Sequence, residues 1–179
     1  MHSVSSPAHE NGKRAPWGGS LEALPDLKFL KEAIDLAAEH SSDGRCGPFG
    51  AVVARCSEVV GRGFNMVVES QDPTAHAEIA AIREACERLD THDLSGCTLY
   101  TSCEPCPMCL GAIYWAGIDR VVYAASRSDA ARAGFDDEFL YAEVSLAPTE
   151  RSMPFMQALP AQGRAVLQAW SGNPKRRMY

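Results

Sequence analysis

The sequence predicts an α/β domain of three layers, with helices on both faces of a mixed sheet. Two observations carry this reading. β-Branched runs alternate with segments whose apolar residues recur at helical spacing, and the middle of the chain runs hairpin, helix, strand, helix, strand. Two successive strand–helix–strand crossovers imply parallel pairing, while a hairpin is antiparallel, so the sheet is mixed. A length of 179 residues with 46% hydrophobic content suits one domain with a single core, and no internal repeat is present.

The elements follow in order. From Asp26 to His40, Leu30, Ala33, Ile34 and Ala37 recur among Lys28, Lys31, Glu32 and Asp35, which is an amphipathic helix. Phe49 to Arg55 and Val59 to Phe64 are β-branched runs around Ser57-Glu58 and form the hairpin. Ile79, Ile82, Cys86 and Leu89 mark a second helix that begins near Thr74. Thr98 to Ser102 reads as a strand, Pro105 to Ala116 as a helix, and Val121 to Ala125 as a strand. Ser128 to Ala133 is a short helix and Ala161 to Trp170 a terminal one. Residues 1–22, rich in Gly, Pro, Ser and charge, read as a flexible tail, and residues 23–179 as the domain.

Charge and apolar content exclude several classes. The chain holds 17 basic and 23 acidic residues, a net charge of −6. Setting aside Lys13, Arg14, Lys175, Arg176, Arg177 and Glu10 near the ends leaves a body with 12 basic against 22 acidic residues. A surface that binds a polyanion needs a basic face, so no nucleic acid partner is expected. The uncharged stretch from Pro105 to Ile118 is shorter than the roughly 18 apolar residues of a membrane span. The first twenty residues lack the apolar segment of a signal peptide, so a cytoplasmic protein is expected. Seven cysteines, an odd number, then point to metal binding or burial rather than to disulfides. Cys46, Cys56, Cys86 and Cys97 are scattered and read as core or loop thiols; Cys103, Cys106 and Cys109 cluster.

The chemistry lies in His76-Ala77-Glu78 and Pro105-Cys106-Pro107-Met108-Cys109. Pro105 suits the first position of a helix, which sets Cys106 and Cys109 on one face near its N-terminus, where the dipole favours thiolate. Two thiolates and the His76 imidazole supply three zinc ligands and leave the fourth position of a tetrahedral ion open, the pattern of a catalytic site. Spacing alone also allows Cys103 as a fourth ligand in a closed structural site. Glu78 argues against that, because an acid two residues from a ligand is idle beside a closed site and is a general acid–base beside an open one. Zinc there would bring the pKa of water toward about 7. Glu78 would take the released proton, pass it to a ring nitrogen of the substrate and then protonate departing ammonia. H-x-E followed by P-C-x-x-C is the pattern of zinc nucleobase deaminases.

Further stretches narrow the reading. TAHAEIAAIREAC, TSCEPCPMCLGAIYWA, DAARAGFDDEFLY and PTERSMPF resemble the bacterial guanine deaminase family of the cytidine deaminase superfamily, over about Cys46 to Tyr179. GAIYWA and GFDDEF are the parts specific to the guanine branch. The resemblance implies a cytidine deaminase-like α/β/α fold with a central mixed five-stranded sheet. It implies one zinc per subunit on His76, Cys106 and Cys109, Glu78 as proton shuttle, and a free purine base, guanine, converted with water to xanthine and ammonia. It carries substrate contacts onto Asn65, Asp137 and the Ala77 backbone N–H, with Phe49 and Phe135 packing on the purine and Trp115 on the pocket wall. It also implies a homodimer in which residues 150–179 are exchanged between subunits and Tyr179 covers the partner's site. The rival readings are a tRNA adenosine deaminase, disfavoured by the acidic body and the FDD segment, deamination of guanosine or cytosine, and an inactive zinc-stabilised module.

Overall fold

The computed structural model describes residues 26–178; the expected N-terminal tail and Tyr179 lie outside them. In chain order the elements are α1 (Leu27–Ser41), β1 (Gly50–Arg55), β2 (Glu58–Phe64), α2 (Val67–Ser70), α3 (Ala77–Leu89), β3 (Cys97–Cys103), α4 (Pro107–Trp115), β4 (Arg120–Ala125), α5 (Arg127–Arg132), α6 (Glu138–Ser145), a 3₁₀ turn at Pro148–Glu150, and α7 (Pro160–Ser171).

The strands form a mixed sheet in the order β2-β1-β3-β4. β1 is antiparallel to both neighbours, whereas β3 and β4 are parallel. The crossover through α3 therefore sets β3 parallel to β2 with β1 between them, and the crossover through α4 sets β4 parallel to β3 directly. Alternation along the strands divides the core in two. Val52, Ala54 and Tyr100 meet Phe29 and Ala33 of α1 on one face. Ala51, Val53 and Leu99 meet Ala77, Ala81, Ile82 and Ala85 of α3 and Ile113 of α4 on the other.

The sheet has four strands among the described residues, not five. After β4 the chain enters α5 and α6, and the stretch that follows carries Pro148, Pro154 and Pro160. The described residues after β4 go into α5, α6, the 3₁₀ turn and α7, and none of them pairs with the β4 edge. The long helices stand close to where the sequence puts them. α1 starts at Leu27 because the Asp26 carboxylate accepts from the Lys28 N–H at 3.2 Å. It buries Phe29, Ala33 and Ala37 and leaves Ile34 exposed, so its apolar stripe is turned slightly from the expected one.

Two starts differ from expectation. α3 begins at Ala77 rather than near Thr74, because Asp72 and Thr74 form a turn of their own, with the Thr74 N–H and hydroxyl both donating to the Asp72 carboxylate. α4 begins at Pro107 rather than Pro105, with Cys106 as the residue before the first helical one. Both displacements place a metal-ligating type of residue, His76 or Cys106, at the mouth of a helix.

Glycine fixes how closely α3 lies on β2. A β-carbon on Gly63 would overlap the Ala77 carbonyl oxygen, and one on Gly61 would overlap that of Ala81. Helix backbone thus rests directly on strand backbone, with Ala85 at the next turn.

Candidate active site

Three ligand-type side chains converge where α3 and α4 begin. His76 Nδ1 lies 3.5 Å from the sulfurs of both Cys106 and Cys109, and the two sulfurs are 3.5 Å apart. Zinc–sulfur and zinc–nitrogen bonds of about 2.3 and 2.0 Å give tetrahedral edges of about 3.5–3.8 Å, so this triangle fits one zinc ion. The donor set is soft, neutral-to-anionic and three-membered, which suits zinc with one open position.

Electrostatics favour the same assignment. A bond from the Cys109 thiol and the neighbouring His76 bring Cys106 down to about 4, making it the thiolate of the pair. Cys109, the donor and buried, is pushed up. His76 is raised, chiefly through Cys106. The site thus already gathers negative charge opposite a proton that a cation would displace.

Cys103 stands apart. It ends β3, its thiol points to the Ser126 carbonyl at 3.7 Å, and burial pushes it up to about 11. It lines the cavity but lies outside the group of His76, Cys106 and Cys109, whose ligand atoms sit within 4.8 Å of one another.

Glu78 is the second residue of α3 and is buried against the metal triangle. The Thr101 hydroxyl donates to Glu78 Oε1 at 3.3 Å, and the Cys109 sulfur lies 3.4 Å from Oε2. Burial pushes the Glu78 carboxyl up, and the Cys106 thiolate adds to the rise. A carboxyl so placed is suited to carrying a proton at neutral pH.

These groups open into a cavity of about 500 Å³, lined also by Asn65, Phe49, Phe135 and Asp137. Phe49 and Phe135 meet edge to face at 4.9 Å and form one wall. Asn65 follows β2 and is buried; its Oδ1 accepts from the Val67 N–H, which leaves the Nδ2 donors free for another acceptor. Asp136 and Asp137 divide their tasks. Asp136 accepts from the Glu138 N–H, whereas Asp137, at the start of α6, makes no capping bond. Burial raises Asp137, and the Cys106 thiolate contributes. Ala77 is buried as the first residue of α3, whose N-terminus has no side-chain cap.

Trp115 falls elsewhere. It is 75% exposed at the end of α4 and is not among the cavity-lining residues. Cys109 and Ile113, one turn apart, form the inner face of α4, which leaves Tyr114 and Trp115 facing outward in the single chain. Thr101, Arg127 and Glu104 escaped the sequence reading. Thr101 had a signal, as a polar residue on a strand that leads straight to the CxxC helix; Glu104 lies between β3 and α4 and Arg127 opens the short α5, and neither stands in a periodic pattern.

A mixed sheet with a His-x-Glu helix start facing a Cys-x-x-Cys helix start defines a zinc-binding deaminase domain. Residues 25–125 match the cytidine and deoxycytidylate deaminase zinc-binding region. The chain belongs to the guanine deaminase family within that group, since it is 50% identical over 151 residues to guanine deaminase of Bacillus subtilis (strain 168), covering 84% of this chain and 97% of that one. The crystal structure of guanine deaminase from Bacillus subtilis superposes with a TM-score of 0.83 at 48% identity, covering 87% of this chain and 99% of that one. A tRNA-specific adenosine deaminase of Aquifex aeolicus (strain VF5) is 43% identical over 97 residues, only 54% of this chain and 64% of that protein. The cofactor of the site is zinc.

Proposed function

We propose that this chain deaminates guanine hydrolytically to xanthine and ammonia. The observation that carries the reading is the extent of the match. The likeness to guanine deaminase covers 84% of the chain, whereas that to the tRNA deaminase covers 54%. Asp137, a second carboxylate on the cavity wall, supports it, because it offers an acceptor to the guanine N1–H, whereas the corresponding ring nitrogens of adenine and cytosine carry no hydrogen.

When zinc is held by His76, Cys106 and Cys109, it supplies an activated water as the nucleophile. Glu78 would accept a proton from that water and deliver it to a ring nitrogen. It would then take the remaining proton from the hydroxyl newly bonded to carbon and pass it to the leaving amine as the carbon–nitrogen bond breaks. Thr101 holds one Glu78 oxygen, so the other is the mobile proton carrier. Asn65, Asp137 and the Ala77 N–H orient the purine, with Phe49 and Phe135 beside its ring. Ammonia release from guanine, guanosine, cytosine, adenine and an adenosine-bearing tRNA hairpin tests the reading; guanine should lead the panel, and a lead by any other member would overturn it.

The working form is a homodimer that exchanges residues 150–179. Every described residue from Ser152 to Met178 is exposed in the single chain, including Met156, Leu159, Val166, Leu167 and Trp170. A 12-residue helix solvated on all sides is marginal by itself, so α7 calls for a partner surface. Tyr179 at the end of this arm covers the partner's purine and excludes water from it. Seven free cysteines suit a reducing compartment, the cytoplasm. Among the described residues no helix is long and apolar enough to cross a membrane.

A further inference from the structure

We infer that Tyr141 is a positioning residue, which fixes the distance between Asp137 and the zinc-ligating turn and so sets how tightly the purine is held. The inference rests on Asp137 contacting the substrate, as proposed above. α6 buries no residue fully and packs lightly, against α4. Its tie to the catalytic layer is polar: the Tyr141 hydroxyl donates to the Pro105 carbonyl at 2.9 Å, and Pro105 directly precedes Cys106. Tyr141 stands four residues after Asp137, one helical turn along the same face. One hydrogen bond therefore joins the helix that opens at Asp137 to the turn that delivers a zinc ligand.

The ring is held as well as the hydroxyl. The Arg127 guanidinium sits over it at 4.8 Å, and the Arg127 backbone N–H donates to Glu104 Oε2 at 3.0 Å. Glu104 in turn donates its own N–H to the Ala125 carbonyl at the end of β4. The ring is thus clamped from the sheet side while the hydroxyl reaches the turn before α4. Tyr141 itself lies outside the cavity lining, so it acts through Asp137 rather than on the substrate.

The test is a double-mutant cycle of Tyr141→Phe with Asp137→Ala, read on the best substrate of the wild-type panel. Phenylalanine keeps the ring under Arg127 and removes only the hydroxyl. Tyr141→Phe should raise KM about 5- to 10-fold, the range of one lost hydrogen bond, with kcat within about twofold and zinc unchanged. In the Asp137→Ala background the same change should move KM by less than about twofold. An unchanged KM in the single variant, additive effects in the cycle, loss of zinc, or a Tyr141→Phe chain that does not fold would each overturn the inference. A wild type that ignores guanine but deaminates another base overturns the substrate reading alone, and the cycle is then read on that base.

Discussion

The Thr101 hydroxyl hydrogen-bonds Glu78 Oε1 at 3.3 Å, and both side chains are buried. A carboxyl pinned at one oxygen swings less, so the proton it carries is presented from the other. Thr101→Val removes the donor at nearly constant shape. Steady-state kinetics should show kcat lower by about 10-fold with zinc retained, the scale of one hydrogen bond to a reacting group. An unaltered kcat would detach Thr101 from the chemistry.

Replacing the shuttle itself is the sharper test. Glu78→Gln preserves shape and cannot ferry protons, so turnover should fall at least about 100-fold while metal analysis still finds zinc. Near-normal activity would remove Glu78 from the mechanism.

The same residue makes a prediction about pH. Burial lifts the folded pKa of Glu78 above its unfolded value. A carboxyl shifted in that direction favours folding below the unfolded pKa and loses that contribution as pH rises through the folded one. In protein stripped of metal by a chelator, Glu78→Gln should therefore melt above wild type at about pH 8, and the gap should close toward about pH 4. A gap that widens on acidification would contradict the assignment.

Metal content separates the three clustered cysteines. Cys106→Ser should strip zinc, whereas Cys103→Ser should leave one zinc per chain, because its thiol points to the Ser126 carbonyl. Equal losses from both would indicate a closed four-ligand site.

Deleting Met178 and Tyr179 tests the arm. Guanine turnover should drop while zinc content and the melting temperature stay at wild-type values. Full activity in the truncated chain would leave the exposed terminus without a part in the reaction.

Much of this architecture could be read from the chain because burial writes a period. α1 and α3 bury Phe29, Ala33, Ala81, Ile82 and Ala85, and such stripes show in sequence. α6 buries nothing, so Phe139, Leu140, Tyr141 and Val144 formed no stripe to find. The metal triangle was legible because His-x-Glu and Cys-x-x-Cys each carry their own geometry. Tyr141 and Thr101 were not, since each acts on a residue far away in the chain: the contact with Pro105 spans 36 positions and that with Glu78 spans 23. Trp115, expected on the pocket wall from the family resemblance alone, is exposed at the end of α4 in the single chain, and no periodicity in the sequence bears on its place.

The glycines of β2 have a last consequence. Gly61 and Gly63 are two strand residues apart, about 6.7 Å, and they seat the carbonyls of Ala81 and Ala77, four helix residues apart, about 6.0 Å. The two repeats nearly coincide, so strand and helix engage like the scales of a vernier. Sliding α3 by one residue would advance it about 1.5 Å and rotate it about 100°, driving a different set of atoms into the strand. His76 and Glu78 can then occupy only discrete positions along the sheet. The spacing between proton carrier and metal is thus locked by a strand that lines neither the metal triangle nor the Glu78 carboxyl.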